Sequence, residues 1–211
     1  MKYQVIFLGI ASLALTACGG GSSGGGGGEF VVSNAIIDGI ELPTGGDLAV
    51  YPQEVQDLIT EFQDRNENTP QASNIPTMGT ANYRGTFGIS VEDGDVIVAA
   101  IYGDLALAAD WDNPNGDLVT GKVTNLSVVD GGGTYNPTGS LAIDAPISGP
   151  SLELGTVKGT FSLPNGDFNL NGSFDGAFAG DGASSMLGQT EGTMTYPDNT
   201  TDSFSGLWYA D

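Results

Sequence analysis

The sequence predicts an all-β protein: an antiparallel, closed β-barrel of about eight strands, preceded by a short N-terminal segment with one helix. Three observations carry this. Gly, Asn, Asp, Ser and Thr are abundant and helix formers are scarce after residue 65, which is the composition of short strands joined by tight turns. From Ala81 onward, alternating apolar runs recur at short spacing, separated by turn clusters such as Asp93-Gly94 and Asn165-Gly166. Cys18 is the one cysteine in 211 residues, so no disulfide framework exists and a hydrophobic core must supply the stability. An open two-layer sandwich is the alternative architecture for the same strands.

The chain begins with a lipoprotein-type signal. Lys2 is followed by the apolar run Val5 to Leu15, and Leu15-Thr16-Ala17 ends in small residues directly before Cys18. The run is too short to span a bilayer and reads as a signal-peptide core. Residues 1–17 are therefore expected to be removed and Cys18 to receive lipid, which also accounts for an otherwise odd thiol. An ordinary secretory signal cut elsewhere is the alternative. Residues 18–28, the lipidated cysteine and a Gly/Ser run, form a flexible tether; its ten residues after Cys18 have a coil dimension of roughly 17 Å. Gly19 after the cysteine is read as agreeing with export to the outer membrane.

Residues 29–74 form an N-terminal extension. Phe30 to Val32 and Ala35 to Ile37 read as strands, and Pro43-Thr44-Gly45-Gly46 as a turn. A helix is expected over about 52–65, with Pro52 at its first position. Val55, Leu58, Ile59 and Phe62 repeat at helical spacing to make one apolar stripe. That stripe is expected to pack on the main body, a partner-binding helix being the alternative. Asn66 to Pro76 is polar and interrupted by prolines, hence a linker.

The barrel is placed at 75–211. Strands are expected at 82–90, 96–102, 104–111, 118–128, 138–145, 155–163, 168–178, 189–196 and 203–209, with 130–135 and 180–185 as loops. The turn Pro-Asn-Gly-Asp occurs at both 114–117 and 164–167, because Asn-Gly supplies the positive φ that a tight turn needs. Mid-strand Gly172, Gly176 and Gly206 relieve curvature or admit a large neighbour.

Charge narrows the function. Removing residues 1–17 leaves four bases, Arg65, Arg84, Lys122 and Lys158, against 26 acids. Nucleic acid is excluded as a partner because phosphate binding needs a basic footprint, and adsorption to anionic lipid is disfavoured, so a covalent lipid must do the anchoring. The chain has no histidine, Cys18 is assigned to acylation, and Lys122 and Lys158 fall within ordinary strands, which speaks against nucleophilic catalysis. Most acids fall at predicted turns, where Asp bonds the local backbone. The run Asp110 to Asp117 fails the EF-hand spacing, with Pro114, Asn115 and Gly121 at ligand or glycine positions; adventitious calcium at such turns stays open. Gly131-Gly132-Gly133 lacks the surroundings of a phosphate loop. No cofactor and no structural metal are implied, and no enzyme activity is expected. Tyr135, Tyr196, Trp208 and Tyr209 are the candidate ligand-binding residues, as aromatic anchors of an interface; for Trp208 and Trp111 core placement is the default.

The C-terminal half carries a resemblance. Gly172-Ser173-Phe174, Gly176, Ala183, Leu187-Gly188, Gly192 and the closing Phe204 to Ala210 follow a G-x-F-x-G-x-x-A-x-x-x-G-G … G-x-F-x-A ending. Ile75 to Gly85 follows a P-x-x-G-x-A-x-Y-x-G start, and Ala108-Ala109-Asp110-Trp111 with Leu118 to Val123 follows an A-D-F … L-x-G-x-I hairpin. The chain thus resembles the β-barrel domains of the transferrin-binding protein B family, to which factor H-binding protein is similar. The likeness covers 75–211 and departs at Gln189, where a second glycine is usual, and at Trp208, where phenylalanine is usual. It departs too in having one barrel, without the handle domains of the full bilobed relatives, and no functional residue is carried over. The expected function is a lipid-anchored outer-membrane lipoprotein that binds a protein or solute, in nutrient acquisition or host interaction, facing either side of that membrane. A structural or adhesion envelope lipoprotein without a transported ligand is the alternative.

Overall fold

The computed structural model of the chain describes residues 51–94 and 96–211. The expected signal peptide, Cys18, the tether, the strands near Phe30 and Ala35 and the turn at Pro43 lie outside the described residues. The described elements are one helix, α1 (Gln53–Asn68), and nine strands: β1 (Thr80–Asp93), β2 (Val96–Asp110), β3 (Leu118–Asp130), β4 (Gly133–Tyr135), β5 (Thr138–Ser148), β6 (Ser151–Leu163), β7 (Gly166–Ala179), β8 (Ser185–Thr195) and β9 (Thr201–Ala210).

Eight of the strands close into an antiparallel barrel in the order β1-β2-β3-β5-β6-β7-β8-β9, with β9 pairing back onto β1. Closure leaves no edge on those strands and sets aside the open sandwich. One rim carries the β1–β2, β3–β4, β6–β7 and β8–β9 connections, here called the near rim. The far rim carries β2–β3, β5–β6 and β7–β8. Inward residues alternate along each strand. On β1, Tyr83, Phe87, Ile89 and Val91 point to the core and Arg84 to solvent.

Several strands are longer than their sequence signals. The segments 96–102 and 104–111 are one strand, because Gly103 does not end β2 but sits in a register shift between Tyr102 and Asp104. Opposite it on β3, Asn125 takes φ 52°, and its Nδ2 donates to Asp104 Oδ2 at 2.7 Å. An amide side chain tolerates that left-handed conformation and fixes the bulge. Beyond the bulge β3 changes partner. It pairs with β5 from Leu118 to Val123, and from Val128 to Asp130 with β4. The glycine loop expected at 130–135 therefore contains a short strand, and Pro137, which has no N–H to donate, falls between β4 and β5.

The stretch from Asn66 to Pro76 is not a plain linker. Helix α1 runs on to Asn68. Gln71 then bridges Ala179, Ala72 N donates to Phe178 O at 3.0 Å, and Gly180 N donates to Pro70 O at 2.9 Å. The chain thus crosses the far rim pinned to the end of β7 before it enters β1.

Helix α1 packs on the outside of the barrel, as its stripe predicts. Tyr51, Val55 and Ile59 cover Ala100 beside Ile97, Tyr102 and Leu207. Phe62 buries itself against Ala179 and Leu187. Leu58 lies over Gly88 of β1, where a Cβ would collide with it. At the last turn, Arg65 bonds Glu61 at 2.7 Å and Asp211, and its guanidinium stands 4.6 Å above the Tyr209 ring. This latch ties the helix end to the end of β9.

Candidate binding surface

The barrel interior is occupied from rim to rim by side chains. At the far rim Trp111 and Tyr83 pack on Phe178, at 5.6 and 6.2 Å between ring centroids. In the middle Trp208 stacks on Phe174 at 4.3 Å. At the near rim Phe161 stacks on Phe168 at 5.4 Å, and Tyr196 meets Phe168 edge-on at 5.5 Å. The glycines of the β7–β8 motif give this column its room. Gly176 and Gly188 pair across the strands, and a Cβ at either would collide with the Trp208 indole. Gly172 and Gly192 seat Phe204 in the same way. Each glycine pair is covered by one β9 ring, an arrangement that restores packing where strands lack side chains. A filled interior leaves the outer wall and the rims as the surfaces on which this barrel can meet a ligand.

The four aromatic candidates do not come together. Trp208 has no exposure, and its Nε1 donates to Gln189 O at 3.3 Å; it belongs to the core, which corrects its reading as an interface anchor. Tyr209 lies on the outer wall beneath Arg65, beside Phe62 and Leu187. Tyr196 is half-buried in the β8–β9 hairpin, where its hydroxyl donates to Asp202 Oδ2 at 2.7 Å. Burial first, and the neighbouring carboxylates with that bond, push this phenol well above its ordinary pKa. Tyr135 alone stands out to solvent, on β4 at the near rim. The acidic run at the β2–β3 connection is a turn network. Asp110 Oδ1 accepts from Asp112 N at 3.0 Å, Asn113 Oδ1 from Asn115 N at 3.0 Å, and Asp112 Oδ2 from Gly79 N at 2.9 Å.

The wall carries a feature that a linear reading of the sequence misses. Arg84 pairs with Ala106, Ala106 with Lys122, Lys122 with Ala142, and Ala142 with Lys158. All the cations of the barrel strands therefore lie on one cross-strand row that runs over β1, β2, β3, β5 and β6, spaced by alanines. All three are exposed, and none forms an ion pair among the described residues. Two strand spacings separate successive cations, which puts them about 10 Å apart along the wall. The adjoining outward rows hold hydroxyls: Thr120 and Thr156 on one side, Thr124 and Thr160 on the other, with one acid in each, Asp144 and Asp104. The signal was present in the sequence as three bases at outward positions of three strands, but only the register aligns them.

The opposite wall is acidic. Asp175 on β7 pairs with Gln189, and Glu191 follows on β8. Burial first, and the Glu191 charge second, hold the Asp175 carboxyl above its usual range. The folded state thus favours protonated Asp175, so its ionised form opposes folding at neutral pH. That opposition fades as the pH falls through the raised value and is gone below the ordinary aspartate value of about 3.9. Asp175→Asn is expected to raise the thermal midpoint at pH 7 and to leave it nearly unchanged at about pH 3, as read by circular dichroism melts at the two pH values.

Two crystal structures of the vaccine antigen Transferrin Binding Protein B (TbpB) from Haemophilus parasuis Hp5 are similar to this chain, one of a single mutant and one of a double mutant. Their TM-scores are 0.42 and 0.39, each at 17% identity over 65% of this chain. The match takes in 27% and 26% of those chains, so it spans about a quarter of their length. The barrel itself is established by the strand pairing. The chain matches no protein-family model and no curated protein.

Proposed function

We propose that this chain is a lipoprotein anchored in the outer membrane through acylated Cys18, which displays its barrel on the cell surface to bind a ligand on the outside of the wall. One observation carries the binding mode: the interior is filled by one hydrophobic cluster, while the wall holds cations that form no ion pair among the described residues. The anchor is supported by Leu15-Thr16-Ala17-Cys18 and the Gly/Ser tether behind it. Nutrient capture or host interaction is the role suggested by the sequence resemblance to transferrin-binding protein B barrels, with a protein or solute as the ligand. Binding, and not catalysis, is the reading that suits a chain without histidine whose Asp110, Asp112, Asp130 and Asp198 accept from nearby backbone N–H groups.

The experiment is an intact mass of the protein extracted from membranes. The expected mass is that of a chain starting at Cys18 with diacylglyceryl and amide-linked acyl groups, and Cys18→Ser is expected to release unlipidated protein from the membrane fraction. A mature chain cut elsewhere and carrying no lipid contradicts the proposal. The filled interior also favours a second reading, a structural envelope lipoprotein. On that reading, cells lacking the protein leak periplasmic contents; on the binding reading their envelope is intact.

A further inference from the structure

We infer that the Arg84–Lys122–Lys158 row binds a linear acidic polysaccharide laid across the strands. The inference rests on the surface-display reading for its setting and on the register of the barrel for its chemistry.

The charge distribution points to an anion. In a chain of formal net charge −21, cations scattered at random would be masked by neighbouring acids. Here three fall on one row, with no ion pair to any of them among the described residues. Between them stand Ala106 and Ala142, whose short side chains leave a shallow track on which the longer cations reach out from either side. The spacing of about 10 Å suits a polymer with acidic groups recurring along an extended chain, and a single small anion would meet only one cation.

The neighbours of the row point to sugar over protein. Thr120 and Thr156 offer hydroxyls at the height where a glycan's own hydroxyls would lie. Protein interfaces draw their energy from buried aromatic or aliphatic anchors. The exposed large apolar residues, Met78, Val96, Val98, Tyr135 and Leu154, are all off this row. Asp104 and Asp144 in the adjoining rows, with the acids elsewhere on the surface, confine a polyanion to the row and keep the affinity low and salt-sensitive.

The full chain, purified in detergent, is passed at low ionic strength over immobilised alginate and dextran sulfate, with plain dextran as the neutral control. Retention is expected on the two acidic matrices and not on dextran. It is expected to fall with salt at a log–log slope of about −3 or shallower, since three cations are engaged. The double variant K122E/K158E is expected to lose at least about tenfold in affinity while keeping the wild-type melting curve, because both side chains are exposed and unpaired. K122Q/K158Q is expected to fall between them. Equal retention of wild type and double variant, or no retention at low salt, overturns the inference. Stronger retention on poly-glutamate than on the polysaccharides at matched charge overturns it in favour of an acidic protein. None of these outcomes bears on the lipid at Cys18, so failure here and failure of the display reading are separable.

Discussion

Trp208→Ala is expected to cost the barrel about 3–5 kcal/mol, the range for removing a large ring from a well-packed core. The indole is wholly buried, stacks on Phe174 at 4.3 Å, and fills the space above Gly176 and Gly188. Two glycines cannot close over the hole, because they have no side chain to turn inward. The melting midpoint is therefore expected to drop by about 10 °C or more, followed by near-ultraviolet circular dichroism. Trp208→Phe keeps the stack and loses the bond to Gln189 O, at a cost nearer 1 kcal/mol. A midpoint for Trp208→Ala within two degrees of wild type contradicts the central place given to this ring.

Phe62→Ala is expected to have an equally large but local effect. Phe62 has no exposure and joins helix α1 to Ala179 and Leu187, so its truncation removes about 3–5 kcal/mol from the docking of the helix. A 16-residue helix is marginal in water without its packing face. Hydrogen exchange is expected to show the amides of 53–68 losing protection while those of β3, β5 and β6, which hold none of the residues on which its apolar stripe packs, keep theirs. Loss of protection across the whole barrel in step with the helix contradicts the view that α1 is an external brace on a self-sufficient barrel.

How much of this was legible in the sequence differs from element to element. The closed barrel was, because strand periodicity and Asn-Gly turns are local signals; Gly116 and Gly166 take the positive φ values, 110° and 135°, that the two Pro-Asn-Gly-Asp turns require. The helix was legible for the same reason, its stripe of Val55, Leu58, Ile59 and Phe62 being buried as a set. Gly103 was misleading, since a glycine in a strand reads equally as a break or as a bulge, and only the partner residue Asn125 decides. Asn66 to Pro76 read as a linker because prolines mask the hydrogen bonds that Pro70 O and Ala72 N make to Gly180 and Phe178 at the end of β7. The glycines of the C-terminal motif were visible as a pattern, but their cause, a ring seated on each pair, is a contact across three strands. The cation row is the extreme case. Arg84, Lys122 and Lys158 are spread over 75 positions of sequence and become neighbours only through the register.

The claim at the centre is that the barrel stands on the outer surface of the cell and works through its wall. Lys122 and Lys158 are the only lysines after the signal segment, both lie on that wall and both are exposed. An amine-reactive reagent carried on a polyethylene glycol chain too large for porins reports them directly when applied to intact cells. The account predicts that both lysines are modified before lysis. Modification only after the outer membrane has been breached would contradict it.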